Sequence, residues 1–296
     1  MRQPVGIVGF GEAGSAIAGG LAREGVSVVA TDARLASDEG EGLRALAAEL
    51  GVELVDDVRD VSSRCRTILS LVTSSAAVPV AEALAPHVGR DHLVVDANST
   101  SPARVAEVAN RLADSGALVC DVAVMSAVPP HGHRVPMLAS GPGAHRFAAL
   151  DAGFCVEVVD GEVGAASAIK MLRSSVIKGV EALLLEFGLA ARHFGATGAV
   201  LRSITGTLPS EDWEELGRYL LIRTATHGER RGHELEQVAE LFRSVGVEPL
   251  IADAGARRLL RAAKDGYLAD VGSNIDDLDA VFGALDVPDE LDPGDR

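Results

Sequence analysis

Apolar residues in the first half of the chain come in short unbroken runs, and between the runs they recur at helical spacing. Val5, Ile7 and Val8 make the first run, which stops at Gly9-Phe10-Gly11-Glu12-Ala13-Gly14; Ala13, Ile17 and Leu21 then mark one helical face. Further runs over 26–31, 52–55, 67–72, 92–96, 118–124, 136–140 and 156–159 read as strands. Segments 38–50, 77–85 and 102–113 read as helices, the last opened by Ser101 as N-cap and Pro102 at the first helical position. This alternation predicts a doubly wound sheet to about residue 160.

From about Gly161 the period changes. Residues 163–192 carry Ile169, Leu172, Val176, Val180, Leu183 and Phe187 at helical spacing, with Lys170, Arg173, Ser174 and Lys178 on or near the opposite face. Helices are also predicted over 210–226, 229–245 and 254–264, punctuated by Gly195, Gly198, Gly206 and Gly246. The tail after Gly272 is rich in aspartate and reads as solvated. The pattern thus divides into an α/β part, 1–160, and an all-helical part, 161–296.

The opening strand, glycine turn and helix are followed by a second strand that ends on Asp32, in the register of the Rossmann dinucleotide-binding fold. Gly9 permits the tight turn, Gly11 lets a pyrophosphate approach the backbone, and Gly14 lets the helix lie close to the strand. The helix N-terminus then faces the phosphates through Phe10, Gly11, Glu12 and Ala13. Asp32, followed by Ala33, would accept hydrogen bonds from a ribose diol and repel a 2'-phosphate, which favours NAD; Arg34 could reach a 2'-phosphate, which keeps NADP open. A plain glycine turn is the alternative for the motif taken alone.

Ligands of such sheets lie beyond the carboxyl ends of the strands. Three polar turns stand there: Val72-Thr73-Ser74, Asn98-Ser99 and the loop from Asp121 to His133. Each residue in them could equally serve as a helix cap.

Composition narrows the partners. A formal net charge of -16 over 296 residues argues against nucleic acid or an anionic membrane. The three cysteines, Cys65, Cys120 and Cys155, have no metal-like or redox-pair spacing, so they are expected in the core of a protein from a reducing compartment. Met1 stands close to the first strand and no apolar stretch is long enough to span a bilayer, so no signal peptide and a cytoplasmic location are expected. His131 and His133 have no acidic or cysteine set nearby, so no metal is expected.

Two stretches carry a family resemblance. The segment from Asp96 through Pro102 is similar to the aspartate-x-serine-threonine-x-x-proline turn of the beta-hydroxyacid dehydrogenases, with Asn98-Ser99 nearer the asparagine-serine of the 6-phosphogluconate branch. Gly164-Ala165-Ala166-Ser167-Ala168-Ile169-Lys170 resembles that family's glycine-x-glycine-x-x-x-lysine motif. The likeness covers about the first 190 residues, and 209–263 looks like an uncharacterised C-terminal domain attached to some phosphogluconate-dehydrogenase-like proteins.

The resemblance implies an NAD(P)-dependent enzyme with Lys170 as general acid/base. It also implies a dinucleotide held by Gly9 to Gly14, Asp32, Ala33, Val72, Thr73 and Asn98, and a small anionic hydroxy or oxo acid held by Asn98, Ser99, Val124, Met125, Ser126, Ala127, Arg173 and Ser174. Two departures fall where the substrate would lie. Arg173 and Ser174 replace the family's His-Asn or Asn-Asn, and Asp121-Val122-Ala123-Val124-Met125-Ser126-Ala127 replaces its aspartate-alanine-proline-valine-serine-glycine-glycine.

Lys170 also has a chemical argument. Oxidising a carbinol requires that the hydroxyl proton leave, and the reverse reaction requires a donor at the carbonyl oxygen. A free lysine amine titrates near ~10.4, so service as a base near neutrality calls for desolvation or a neighbouring cation, which Arg173 could supply one turn on. Arg173 could instead fork a substrate carboxylate or phosphate, or face solvent. Ser174 could bind a hydroxyl or simply make room.

His227, Arg231 and Glu234 share a helical face, with Arg230 and His233 beside them, and read as a possible anion site completed across a dimer. Lys264-Asp265 is similar to a lysine-aspartate pair that the family keeps near its cofactor. Altogether the sequence predicts an NAD-preferring, homodimeric oxidoreductase that interconverts a small hydroxy acid and its oxo form. An imine reductase, disfavoured by Lys170, and a non-catalytic NAD(P) sensor are the alternatives.

Overall fold

A computed structural model describes residues 2–193, 195–205, 212–244, 246 and 248–264. The chain divides into two compact units, Met1–Met171 and Leu172–Arg296.

The first unit is the doubly wound sheet. Its elements run β1 Val5–Val8, α1 Glu12–Arg23, β2 Val28–Thr31, α2 Gly40–Leu50, β3 Glu53–Leu54, α3 Val58–Arg64, β4 Thr67–Ser70, α4 Ala77–Leu84, β5 Leu93–Asp96, α5 Pro102–Leu112, β6 Leu118–Val124, β7 Pro136–Ser140, α6 Ala144–Ala148 and β8 Cys155–Val158. The eight strands lie in the order β3-β2-β1-β4-β5-β6-β7-β8, parallel except for β6 against β7. Strands β1, β2, β4 and β5 are buried along their whole length, because helices cover both faces.

Within each strand alternate residues serve opposite cores. Ile7, Leu69, Val95 and Cys120 join Ile17 and Leu21 of α1 and Phe147 of α6. Val8, Ile68, Val94 and Val119 join Val61 of α3, Ala81 and Leu84 of α4, and Val108 and Leu112 of α5. The chain order reverses between β1 and β4, where both strands end together and Leu71 donates its backbone N–H to the Val8 carbonyl at 2.8 Å. That crevice is the topological switch point of such a sheet.

Several expectations change. Helices α3 and α6, of seven and five residues, are too short to show a helical period and are absent from the sequence reading. The strand predicted over 118–124 forms as β6, so the polar loop toward His133 begins after Val124 and not at Asp121. Cys65 and Cys120 are buried, with their thiols pushed up by burial, Cys65 to about 11; Cys155 is exposed.

The second unit holds most of α7 Ala165–His193, then α8 Thr197–Thr205, α9 Trp213–Ser244 and α10 Leu250–Lys264. Helix α8 has no counterpart in the sequence reading, and α9 joins two predicted helices across a kink at His227, whose φ is -136°. Leu235, Val238, Ala252, Ala256 and Leu259 are buried, and Gly255 lets α10 approach Leu235 and Ala182. The buried side of α7 is not the predicted apolar stripe. Val176 and Leu183 are 67% and 64% exposed, whereas Lys178 and Glu181 are buried. The partners explain the inversion: Lys178 pairs with Glu234 at 2.8 Å, and Glu181 with Arg231. Gly206, Asp265 and the acidic tail lie outside the described residues.

His133 is likewise no surface loop residue. It is buried between Gly20 of α1 and the Phe154 ring, and neither of its ring nitrogens has a hydrogen-bond partner among the described residues. Burial lowers its pKa. The folded state therefore binds a proton less readily than the unfolded chain, which takes one up below about pH 6.5, so this residue makes stability fall as pH drops through that value. Between pH 7.5 and 5.5 the wild type should lose more stability than His133→Leu in urea unfolding. Equal losses would show that the imidazole is not the titrating group.

Candidate functional site

The turn after β1 makes a bare cradle. Gly9 has a φ of +99°, and a Cβ there would overlap the Leu71 carbonyl. A Cβ on Gly14 would overlap the Gly9 carbonyl oxygen, so the close seating of α1 depends on both glycines. Gly11 is the N-cap of α1, no side chain caps that helix, and a Cβ on Gly11 would find a single neighbour, Arg34 Nη2 at 3.7 Å. Unpaired N–H groups and an open backbone face suit a pyrophosphate. Glu12 is exposed and Ala13 half-buried at this helix start. Phe10 differs from a ligand-facing residue: its ring is buried in the core, and its N–H is given to Asp32 at 2.7 Å.

Asp32 stands at the end of β2 as the sequence predicts, but its carboxylate is engaged. One oxygen accepts the Arg34 backbone N–H and Nε, each at 2.9 Å; the other accepts Phe10 N–H and Arg34 Nη2, the latter at 2.9 Å. Burial would raise this carboxyl, but the bonds from Arg34 and Phe10 outweigh it and hold it below its usual value. Arg34 also donates from Nη1 to Glu39 at 3.1 Å. Ala33 opens the short 3-10 turn that carries Arg34.

The ends of β4 and β5 are tied by Asn98. Its buried side chain accepts the Val72 N–H at 2.6 Å and donates to Ser70 Oγ at 3.0 Å, while its backbone N–H donates to Asp96 at 3.0 Å. Thr73 exchanges a hydrogen bond with Ser75 at 3.1 Å, and Ser74 with Thr100 at 2.8 Å. Ser101 caps α5 by accepting Arg104 N–H at 3.3 Å. The turn is thus built by Asn98 and presents the exposed Ser99 outward. Lys170 Nζ donates to Ser99 Oγ at 2.7 Å, which brings the lysine of α7 onto the carboxyl end of β5.

What holds that lysine there is a residue without an assigned role in the sequence reading. Asp121 is fully buried in β6, and its oxygens accept Ser140 Oγ at 3.1 Å, Gly164 N–H at 3.0 Å, Ser167 N–H at 3.0 Å and Ser167 Oγ at 2.6 Å. It pins the N-terminus of α7 one turn before Lys170, and the helix dipole favours a negative charge there. An aspartate inside the apolar run Leu118-Val119-Cys120-Asp121-Val122 is the sequence signal for such a site. Its register partner Asp96 is also buried, with one oxygen lacking a partner among the described residues. Burial, then the neighbouring Asp121 charge, push the Asp96 carboxyl up to about 6 against the bonds from Asn98.

Val124 ends β6 and is half-buried, as is Met125, whose N–H donates to the Pro136 carbonyl at 2.8 Å; Ser126 and Ala127 are exposed. Arg173 and Ser174 lie in the second unit on the continuation of α7, exposed and half-buried respectively. Within one chain the residues of the predicted anion site are engaged as follows. Arg231 is buried in its pair with Glu181, Glu234 serves Lys178, and exposed His233 bonds to Glu236. No metal-holding group of His, Cys, Asp and Glu occurs among the described residues. No helix among them is long and apolar enough to cross a membrane.

Comparison with known proteins agrees with this geometry. Residues 4–142 match the NAD-binding domain of 6-phosphogluconate dehydrogenase, and residues 191–262 match a domain of unknown function. A conserved hypothetical protein from Sinorhizobium meliloti 1021 is 37% identical, with a TM-score of 0.81 over 96% of this chain and 97% of that one. MTH1747, a conserved protein of unknown function with structural similarity to 3-hydroxyacid dehydrogenases, is 32% identical, with a TM-score of 0.75 over 90% and 98% of the two chains. The 3-hydroxyisobutyrate dehydrogenase of Mycobacterium tuberculosis, determined with L-serine, shares the fold at 17% identity, with a TM-score of 0.71 over 97% and 100% of the two chains.

The Asp121 anchor is directly testable. Asp121→Ala leaves two N–H groups and two hydroxyls without their acceptor, so urea unfolding should show a loss of about 2–4 kcal/mol, with new proteolytic cleavage near residue 164. A loss under roughly 0.5 kcal/mol would mean the carboxylate does not hold α7.

Proposed function

Because the chain belongs to the beta-hydroxyacid dehydrogenase family, with an additional helical C-terminal domain, we propose that it interconverts a small, anionic hydroxy acid and its oxo form, using NAD(P) as hydride carrier and Lys170 as general acid/base. The observation that carries this reading is the Lys170–Ser99 hydrogen bond, which puts an amine beside the turn at the end of β5.

The dinucleotide fits the first unit. The open face of Gly11 and the uncapped start of α1 would hold its pyrophosphate, and the Val72-Thr73 turn, fixed by Asn98, would border its nicotinamide half. Bound there, it supplies an acceptor or donor for hydride.

The chain's own residues do the rest. Ser99 orients the Lys170 amine by accepting from it. In the oxidising direction the carbinol C–H bond gives up hydride while the O–H proton passes to the amine; in reduction the ammonium returns a proton to the carbonyl oxygen. Asn98, with both ends of its amide engaged, acts mainly by shaping the turn, and Ser99 makes the direct contact. Val124 to Ala127 border the acid, and Arg173, one turn beyond Lys170, supplies the fork for its carboxylate or phosphate. Exposed Val176, Leu183 and Ile251 suit a homodimer of the helical units.

A panel of small hydroxy and oxo acids, followed by nicotinamide absorbance, tests the reading. Lys170→Ala should lower kcat by at least about 100-fold on the active acid, the usual scale for loss of a general acid/base, and leave dinucleotide affinity within about twofold. Retained turnover, or dinucleotide binding without turnover on any acid, would refute it.

A further inference from the structure

Ser99 and Lys170 also form, by themselves, a nucleophile beside a base. Ser99 is exposed in the turn between the end of β5 at Asp96 and the start of α5 at Pro102. A serine on a strand-to-helix turn is held by the backbone and shows its hydroxyl at the rim of the sheet. The Lys170 amine stands 2.7 Å from that hydroxyl. Charged, the amine donates to it; uncharged, a lysine amine takes the serine proton, as imidazole does in serine–histidine pairs.

The turn also holds donors for the charge that such an attack creates. Asn98 gives its N–H to Asp96, and Arg104 gives its own to Ser101. The N–H groups of Ser99 and Thr100 have no acceptor among the described residues. A nucleophile's own N–H and that of the next residue recur as stabilisers of the oxyanion formed on its Oγ.

We propose that Ser99, with Lys170 as base, is acylated by carboxylic esters, a second activity of the same site that needs no dinucleotide. The Oγ–H proton passes to the amine as Oγ bonds to the ester carbonyl carbon, and the carbonyl pair moves onto its oxygen, toward the Ser99 and Thr100 N–H groups. Collapse breaks the bond to the alcohol, which leaves with the proton returned by the ammonium. Water then repeats the sequence, releasing the acid and restoring the serine. The activity shares Lys170 with the dehydrogenase reading and fails independently of it, because no hydride moves.

The test incubates the full chain with para-nitrophenyl acetate and no nucleotide, follows nitrophenolate release, and maps the acetyl group by peptide mass spectrometry after an acid quench within the first turnover. The expected result is a burst of about one equivalent per chain, with the acetyl group on Ser99. Ser99→Ala, an exposed change, should abolish the burst. Lys170→Arg keeps a charged donor that cannot take up a proton, and should slow acylation by at least about 100-fold. The chain has three lysines, Lys170, Lys178 and Lys264, so acetylation of an amine is readily told apart from the serine adduct. An acetyl group on Lys170 and none on Ser99, an unmodified chain, or a burst that Lys170→Arg leaves intact would each overturn the proposal.

Discussion

A buried carboxylate with no counter-ion among the described residues holds the candidate site together. Asp121 receives two backbone N–H groups and a hydroxyl from the start of α7, and a further hydroxyl from Ser140. A carboxylate taken out of water is tolerated only where donors replace its hydration, and four donors together with a helix N-terminus do so. The first turn of the long helix is thereby fixed to the end of the sheet, and Lys170 is delivered to Ser99. Ser140 reinforces the joint by accepting the Ala166 N–H at 3.0 Å.

The same logic separates the acid that ends β5 from the acid inside β6. Asp96 and Asp121 face each other in register, yet only Asp121 is saturated with donors. Asp96 keeps one oxygen unpaired, and its carboxyl is raised to about 6. The charge beside the Asn98 turn is therefore one that Asp96 gives up more readily than an ordinary carboxylate. The turn is shaped by an acid that can take up a proton, while the helix is anchored by one whose oxygens accept four hydrogen bonds.

Local pattern made most of the first unit legible. The glycine turn, the strand ending on Asp32 and the Ser101-Pro102 helix start are short-range features, and each appears where its residues place it. Lys170 emerged from a motif resemblance, since a lysine on a helix has no periodicity that marks it. What stayed hidden depends on contacts distant in sequence. The donors of Asp121 lie 19 to 46 residues away, so its role follows only from the folded chain. In α7 the apolar period was visible and its meaning was not, because Lys178 and Glu181 could be buried only once Glu234 and Arg231 were there to meet them. At Asp32 the sequence showed the acid, whereas its capture by Arg34 is a matter of side-chain geometry.

On the proposed function, the amine at the head of α7 serves the reacting carbon. A crystal structure of the protein with dinucleotide and an active hydroxy acid measures this most directly. Lys170 Nζ should lie at about 3 Å from the substrate hydroxyl, with the hydroxyl-bearing carbon over the nicotinamide ring. An amine still bonded to Ser99 and turned away from a substrate bound elsewhere would contradict it.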